Sequence, residues 1–133
     1  MANIVIAILQ IILAVGFVIY WIYFFLVTIK DKKLSEIYLE HELSFPLPDL
    51  GLIVPTLIIS AIGLILDNAF GIFFTILSGG ALMFLGLIDL AFNLRKRGHS
   101  KSKQDYYTSL IIVALVLTMA VINIVYGWYM FNL

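Results

Sequence analysis

The chain has 133 residues, 63% of them hydrophobic and 12% charged, with a mean hydropathy of +1.11 and a formal net charge of zero. A soluble domain of this size cannot bury so much apolar surface, whereas lipid tails stand in for a core around a membrane protein, so a soluble globular fold is excluded. Balanced charge gives no footing for nucleic acid, and the absence of cysteine removes disulfides, thiolate metal sites and thiol redox chemistry.

The charge is segregated. Lys30, Lys32 and Lys33 lie in one short segment, and Arg95, Lys96, Arg97, Lys101 and Lys103 lie in another. Long apolar runs fill the rest. Spans of roughly 20 residues each use most of the length. The reading is all-α: a four-transmembrane-helix bundle, antiparallel and up-down, forming one membrane domain over residues 1–133.

The first span is expected over about 4–29. Its start, Met1-Ala2-Asn3-Ile4, lacks a basic n-region and the apolar run outlasts a signal h-region, so a retained helix is expected. Phe17, Tyr20, Trp21, Tyr23, Phe24 and Phe25 gather toward its charged end, as in a headgroup belt. At roughly 26 residues the span exceeds the bilayer's need, which predicts tilt or projection.

Residues 30–48 form the first polar segment. Lys32, Glu36 and Glu40 fall on one helical face and Leu34, Ile37 and Tyr38 on another, the pattern of a short interfacial helix or of a continuation of the first span. Two prolines in Phe45-Pro46-Leu47-Pro48-Asp49 predict extended backbone there. Asp49 then stands as the N-cap of a second span over about 50–66, in which Pro55 predicts a bend. Asp67-Asn68 makes a tight turn into a third span over about 69–94. The basic stretch 95–105 follows, then a fourth span over about 106–131 that ends in Trp128, Tyr129 and Phe131, a second aromatic belt.

The positive-inside rule sets the expected orientation. Both basic segments lie on one side, so 30–48 and 95–105 face the cytoplasm and both termini are extracytoplasmic. The expected location is the cell (plasma or inner) membrane, with membrane lipids as partners. Arg95, Lys96, Arg97, Lys101 and Lys103 would hold anionic headgroups.

Polar residues inside the spans carry the candidate chemistry. Gly71, Thr75 and Gly79 are spaced by four, and Gly79, Gly86 and Asn93 by seven, in the third span. Thr56, Ser60 and Gly63 make a stripe in the second, and Ala120, Asn123 and Gly127 in the fourth. Such stripes let helices approach closely. Gln10 and Asn123 each lie roughly 10 Å from the outer boundary, and a hydrogen bond between them is expected to join the first and fourth helices. Asp89 lies roughly 9 Å inward from Arg95 and shares a face with Asn93. An intramembrane carboxylate there faces the bundle interior or pairs with a basic neighbour such as Arg95 or Lys96. Glu40, His41 and Glu42 offer two carboxylates and an imidazole. Alternate residues on a helix do not converge, so neither a metal site nor a cofactor is expected.

The strings Phe45-Pro46-Leu47-Pro48-Asp49, Gly79-Gly80-Ala81-Leu82 and Gly86-Leu87-Ile88-Asp89-Leu90 with Asn93-Leu94 resemble a set of small, uncharacterised four-helix prokaryotic membrane proteins. The resemblance covers residues 45–94. It carries no activity and implies that Asp49, Asp89 and Asn93 belong to one site. Better-known small four-span families fit poorly. The first span has Gln10 where small multidrug transporters use a glutamate, cysteines for vitamin K epoxide reductase-like chemistry are absent, and no span contains an arginine of the kind eicosanoid and glutathione-metabolism enzymes carry. The polar-phenylalanine pattern of fluoride channels is also missing. The sterol isomerase and sigma-2 receptor group shares only the architecture.

Three functions are open to such a chain. In the first, Asp89, Asn93 and Asp49 line a cytoplasm-facing acidic pocket that binds or transports a cation, proton or small amine-bearing solute, with a homo-oligomer supplying the wall that four helices alone make thin. The second is an accessory subunit or lipid-binding protein whose small-residue stripes face a membrane partner. The third, a lipid-modifying enzyme using Asp89 and Asp49 as an acid–base pair, ranks last because no nucleophile or phosphate motif supports it.

Overall fold

The structure, a computed structural model, describes residues 1–31, 36–95 and 103–133, with 103–105 as backbone only. Lys32, Leu34, Lys96, Arg97, Lys101 and the Lys103 side chain, named above for a helical face or for headgroup contact, lie outside the described residues.

The described chain is all-helical. Its helices are α1 (Ala2–Leu26), α2 (Glu36–Leu43), α3 (Pro46–Pro48), α4 (Val54–Ile65), α5 (Ala69–Arg95) and α6 (Lys103–Phe131). A 3-10 turn, Thr28–Lys30, follows α1, and a π-helical turn, Asp49–Ile53, joins α3 to α4. Among the described residues four stretches are long and apolar enough to cross a membrane: Ala2–Lys30, Glu36–Ile65, Ala69–Arg95 and Tyr106–Phe131. In hydrocarbon only internally paired backbone is tolerated, which is why apolar runs of this length fold as helices.

The Pro46-Leu47-Pro48 segment is helical, not extended. First-turn N–H groups have no intrahelical acceptor, so prolines there remove nothing. Phe45 occupies the N-cap position, and its carbonyl accepts from the Asp49 N–H at 2.8 Å. Asp49 is therefore not a cap. It sits a turn inside the helix, and its side chain is free for another role. A π-helical turn, Asp49–Ile53, lies just before Pro55, the residue at which the sequence predicts a bend. A proline ring clashes with the carbonyl four residues back, and widening the turn relieves the clash.

The turn between α4 and α5 follows from its sequence. Asp67 takes a left-handed φ of 53°, a conformation Asp and Asn tolerate better than most residues. The Asn68 N–H reaches the Gly63 carbonyl at 2.9 Å and the Asp67 N–H reaches Leu64 at 3.2 Å, the paired bonds of a Schellman ending. The Asn68 side chain then accepts from the Phe70 N–H at 3.2 Å and starts α5.

In packing order α1 lies on α4, α4 on α5, and α5 on α6. Gly63 and Gly71 face each other with no room for a Cβ, so α4 and α5 meet backbone to backbone. A Cβ on Gly79 would fall 2.8 Å from Ile124 and 3.0 Å from Asn123, and one on Gly86 would fall 2.5 Å from Leu117, so these glycines seat α6 side chains against α5. Leu57, Leu82, Ala14 and Ala120 fill the centre, while Ile, Leu and Phe side chains cover the outside as a lipid-facing surface.

Candidate functional site

Two polar assemblies lie inside the bundle. The first surrounds a cavity of about 230 Å³ whose wall is mainly apolar. Helix α1 contributes Gly16, Phe17, Tyr20 and Trp21; α2 and the residues after it contribute Glu42 and Phe45; the π-helical turn contributes Asp49; α5 contributes Gly86 and Asp89; and α6 closes the far side with Ile112, Val113 and Val116.

Each carboxylate is held by a specific neighbour. The Trp21 indole N–H donates to Asp49 Oδ2 at 2.8 Å, and the Tyr20 hydroxyl donates to Glu42 Oε2 at 2.8 Å. His41 Nε2 lies 3.1 Å from Asp89 Oδ1. The His41 ring stacks on Phe92 with centroids 3.6 Å apart and planes 4° from parallel, and it meets Phe45 edge-on at 4.8 Å. Asp49 is 4% exposed, and its second oxygen, Oδ1, has no hydrogen-bond partner among the described residues. A buried carboxylate oxygen without a donor is expensive in an apolar wall. Among the described residues no Lys or Arg forms an ion pair with Glu42, Asp49 or Asp89.

The structure brings Asp49 and Asp89 to one cavity and leaves Asn93 out of its wall. The Asn93 amide instead donates to the Asp89 backbone carbonyl on its own helix at 2.8 Å. Asp89 meets His41 rather than Arg95, which is exposed and lies near His41 in a separate shallow pocket.

Tyr20 and Trp21 do not stand out as site residues in the sequence, and His41 and Glu42 are set aside there on the ground that alternate residues of a helix do not converge. The aromatic cluster of α1 is not simply a headgroup belt: Trp21 and Phe24 are buried at 2% and 1% exposure, while Tyr23 and Phe25 face outward. The signal is the 3-and-4 spacing of Phe17, Tyr20, Trp21 and Phe24, which defines one helical face. Glu40 does turn away from its neighbours and is exposed. His41 and Glu42 nevertheless converge, because Asp89 comes to meet them from α5. Ligand atoms of His41, Glu42 and Asp89 all lie within 4.8 Å of one another.

The second assembly is a neutral network in the interior, clear of the carboxylates. Gln10 Nε2 donates to Thr75 Oγ1 at 3.2 Å and to Asn123 Oδ1 at 3.5 Å, and Asn123 Nδ2 donates to Ser78 Oγ at 3.0 Å. Ser60 and Thr75 share a hydrogen bond at 2.5 Å. The network ties all four long helices together, and Ser78 is the member the sequence does not single out. Thr56 differs: its hydroxyl donates to Leu52 on its own helical rod at 2.7 Å and bridges to no other described helix. Beyond this network, Asn3 bonds to both Asp67 and Tyr126, so the start of α1, the α4–α5 turn and the late part of α6 meet at the end away from Glu42, Asp49 and Asp89.

No protein-family model, curated protein or solved structure matches this chain.

Proposed function

We propose that this chain is a small multi-pass membrane protein whose acidic cavity binds or transports a cation, a proton or a small amine-bearing solute. The observation that carries the reading is the buried, unpaired Oδ1 of Asp49 in the wall of a cavity that also holds Glu42 and Asp89. Three carboxyl groups in a largely apolar wall cannot all stay ionised without compensation, and a bound cation, a proton included, supplies it. The aromatic faces of Phe17, Tyr20, Trp21 and Phe45 suit the apolar body of an amine.

In this reading the bundle is up-down and antiparallel, residues 1–133 are one domain, and both termini are extracytoplasmic in the cell membrane. The cavity lies at the end bordered by the two basic segments, so it opens to the cytoplasm. A homo-oligomer completes the wall. The glycines of α5 weigh against the accessory-subunit reading, because Gly71, Gly79 and Gly86 are already covered by α4 and α6 of the same chain.

The test is uptake of protons and of benzylamine by liposomes holding the purified protein, with binding measured in parallel by calorimetry. Wild type should bind and move at least one of them, and Asp49→Asn and Asp89→Asn should reduce uptake at least tenfold, with Asp89→Glu partly active. Equal uptake by wild type and Asp49→Asn would overturn the reading.

A further inference from the structure

We propose that His41, Glu42 and Asp89 form a binding site for a first-row divalent transition-metal ion of the zinc or manganese class, at the edge of the acidic cavity. The inference rests on the cation-binding reading and names an ion class for it. One imidazole and two carboxylates are a donor set such ions accept. Metal–ligand bonds of about 2.0–2.2 Å place neighbouring donor atoms roughly 3–4 Å apart. His41 Nε2 and Asp89 Oδ1 already stand 3.1 Å apart, and the Glu42 carboxylate lies within the 4.8 Å that encloses all three donors. A small side-chain adjustment of Glu42 closes the set.

The donors are also held in place, which distinguishes them from an accidental acidic cluster. Stacking on Phe92 and edge contact with Phe45 fix the His41 ring with Nε2 toward Asp89. The Tyr20 hydroxyl donates to Glu42 Oε2 and holds that carboxylate, the kind of outer support that ligating carboxylates usually have. His41 and Asp89 are 13% and 27% exposed, so the site is reachable but largely desolvated. A separate observation points to positive charge in the same cavity: Asp49 is 4% exposed and its Oδ1 is unpaired. Three protein donors leave coordination positions open, and these are available to water or to a solute in the cavity.

The experiment is calorimetric titration of the full chain in nanodiscs with Zn²⁺ and with Mn²⁺, alongside the cobalt(II) absorption spectrum of the Co²⁺-loaded protein. One ion per chain should bind saturably, and the spectrum should carry bands of nitrogen–oxygen coordination. His41→Ala and Asp89→Asn should each weaken binding at least a hundredfold. Tyr20→Phe, which removes only the outer support, should weaken it about tenfold. Glu40→Gln, at the exposed neighbouring carboxylate, should leave it unchanged. The spectrum of the wild-type protein reports donor type and geometry, so it tests the donor set without any variant that has to fold. Zn²⁺ and Mn²⁺ binding that is absent, or that survives His41→Ala, would overturn the metal site. If benzylamine or proton uptake persists in that event, the cation-binding reading stands alone, and if neither remains both fall.

Discussion

The Trp21–Asp49 hydrogen bond is the most direct handle on the acidic cavity. Trp21→Phe deletes the one donor among the described residues that reaches the Asp49 carboxylate, while keeping an aromatic ring in place. A hydrogen bond to a charged acceptor is worth about 1.5–3 kcal/mol. Shrinking a ring that is 2% exposed adds about 1 kcal/mol of lost packing. The single substitution should therefore destabilise the bundle by about 2.5–4 kcal/mol. In an Asp49→Leu background there is no carboxylate to orphan, so only the packing loss of about 1 kcal/mol remains. A double-mutant cycle read by reversible unfolding in mixed micelles should then return a coupling of about 1.5–3 kcal/mol. Additivity to within about 0.5 kcal/mol would refute the claim that this bond holds Asp49 in the cavity wall.

Two further predictions test the cavity and the packing separately. A Cβ on Gly16 would meet nothing within 4 Å although the residue lines the cavity, so Gly16→Leu should fill the space, cut benzylamine or metal binding at least tenfold and leave thermal stability equal or higher. Gly63→Ala and Gly80→Ala should act in opposite directions in the same unfolding assay. The first drives a methyl into the Gly71 backbone and should destabilise by about 1–3 kcal/mol, whereas the second points into open space and should stabilise by about 0.5–1 kcal/mol.

The spans are legible in the sequence because hydrophobic length and the placement of basic residues are one-dimensional signals. Helices α1, α5 and α6 begin and end within a few residues of the expected limits. The Phe45–Asp49 stretch is harder, because a proline pair reads as a helix breaker unless it falls in the first turn, and which turn is first depends on the acceptor that Phe45 supplies. The site is half legible for a related reason. Asp49 and Asp89 stand out in any scan for charge inside a span, and Gln10 with Asn123 for amides at matching depth. Their partners do not stand out. Trp21 and Tyr20 look like interfacial aromatics, and His41 and Glu42 look like solvated surface until α2 is folded against α5. Tertiary pairing between a short polar helix and a long apolar one leaves no periodic trace in sequence.

The π-helical turn connects the proline, the carboxylate and the cavity, and it supplies the last prediction. Asp49 opens that turn, and Pro55, which does not line the cavity, lies just past its end. In an α-helix successive residues are about 100° apart around the axis, so a π turn, which inserts one residue, rotates the residues before it relative to those after it. That rotation aims Asp49 at Trp21 on α1 while Thr56 and Ser60 keep facing inward. If the proline ring forces the wide turn, Pro55→Ala should let it relax to regular α-helix. Asp49 would then swing off the Trp21 face. Binding to the cavity and the Trp21–Asp49 coupling should both fall, and the backbone hydrogen bond that the relaxed helix recovers should offset only about 0.5–1.5 kcal/mol of the stability lost with the Trp21–Asp49 bond. Calorimetry and the same double-mutant cycle in the Pro55→Ala background read the two effects. Unchanged binding with an unchanged coupling would show that the turn is set by contacts from α1 and α5 rather than by proline, and that Asp49 is aimed by its partner, not by its own helix.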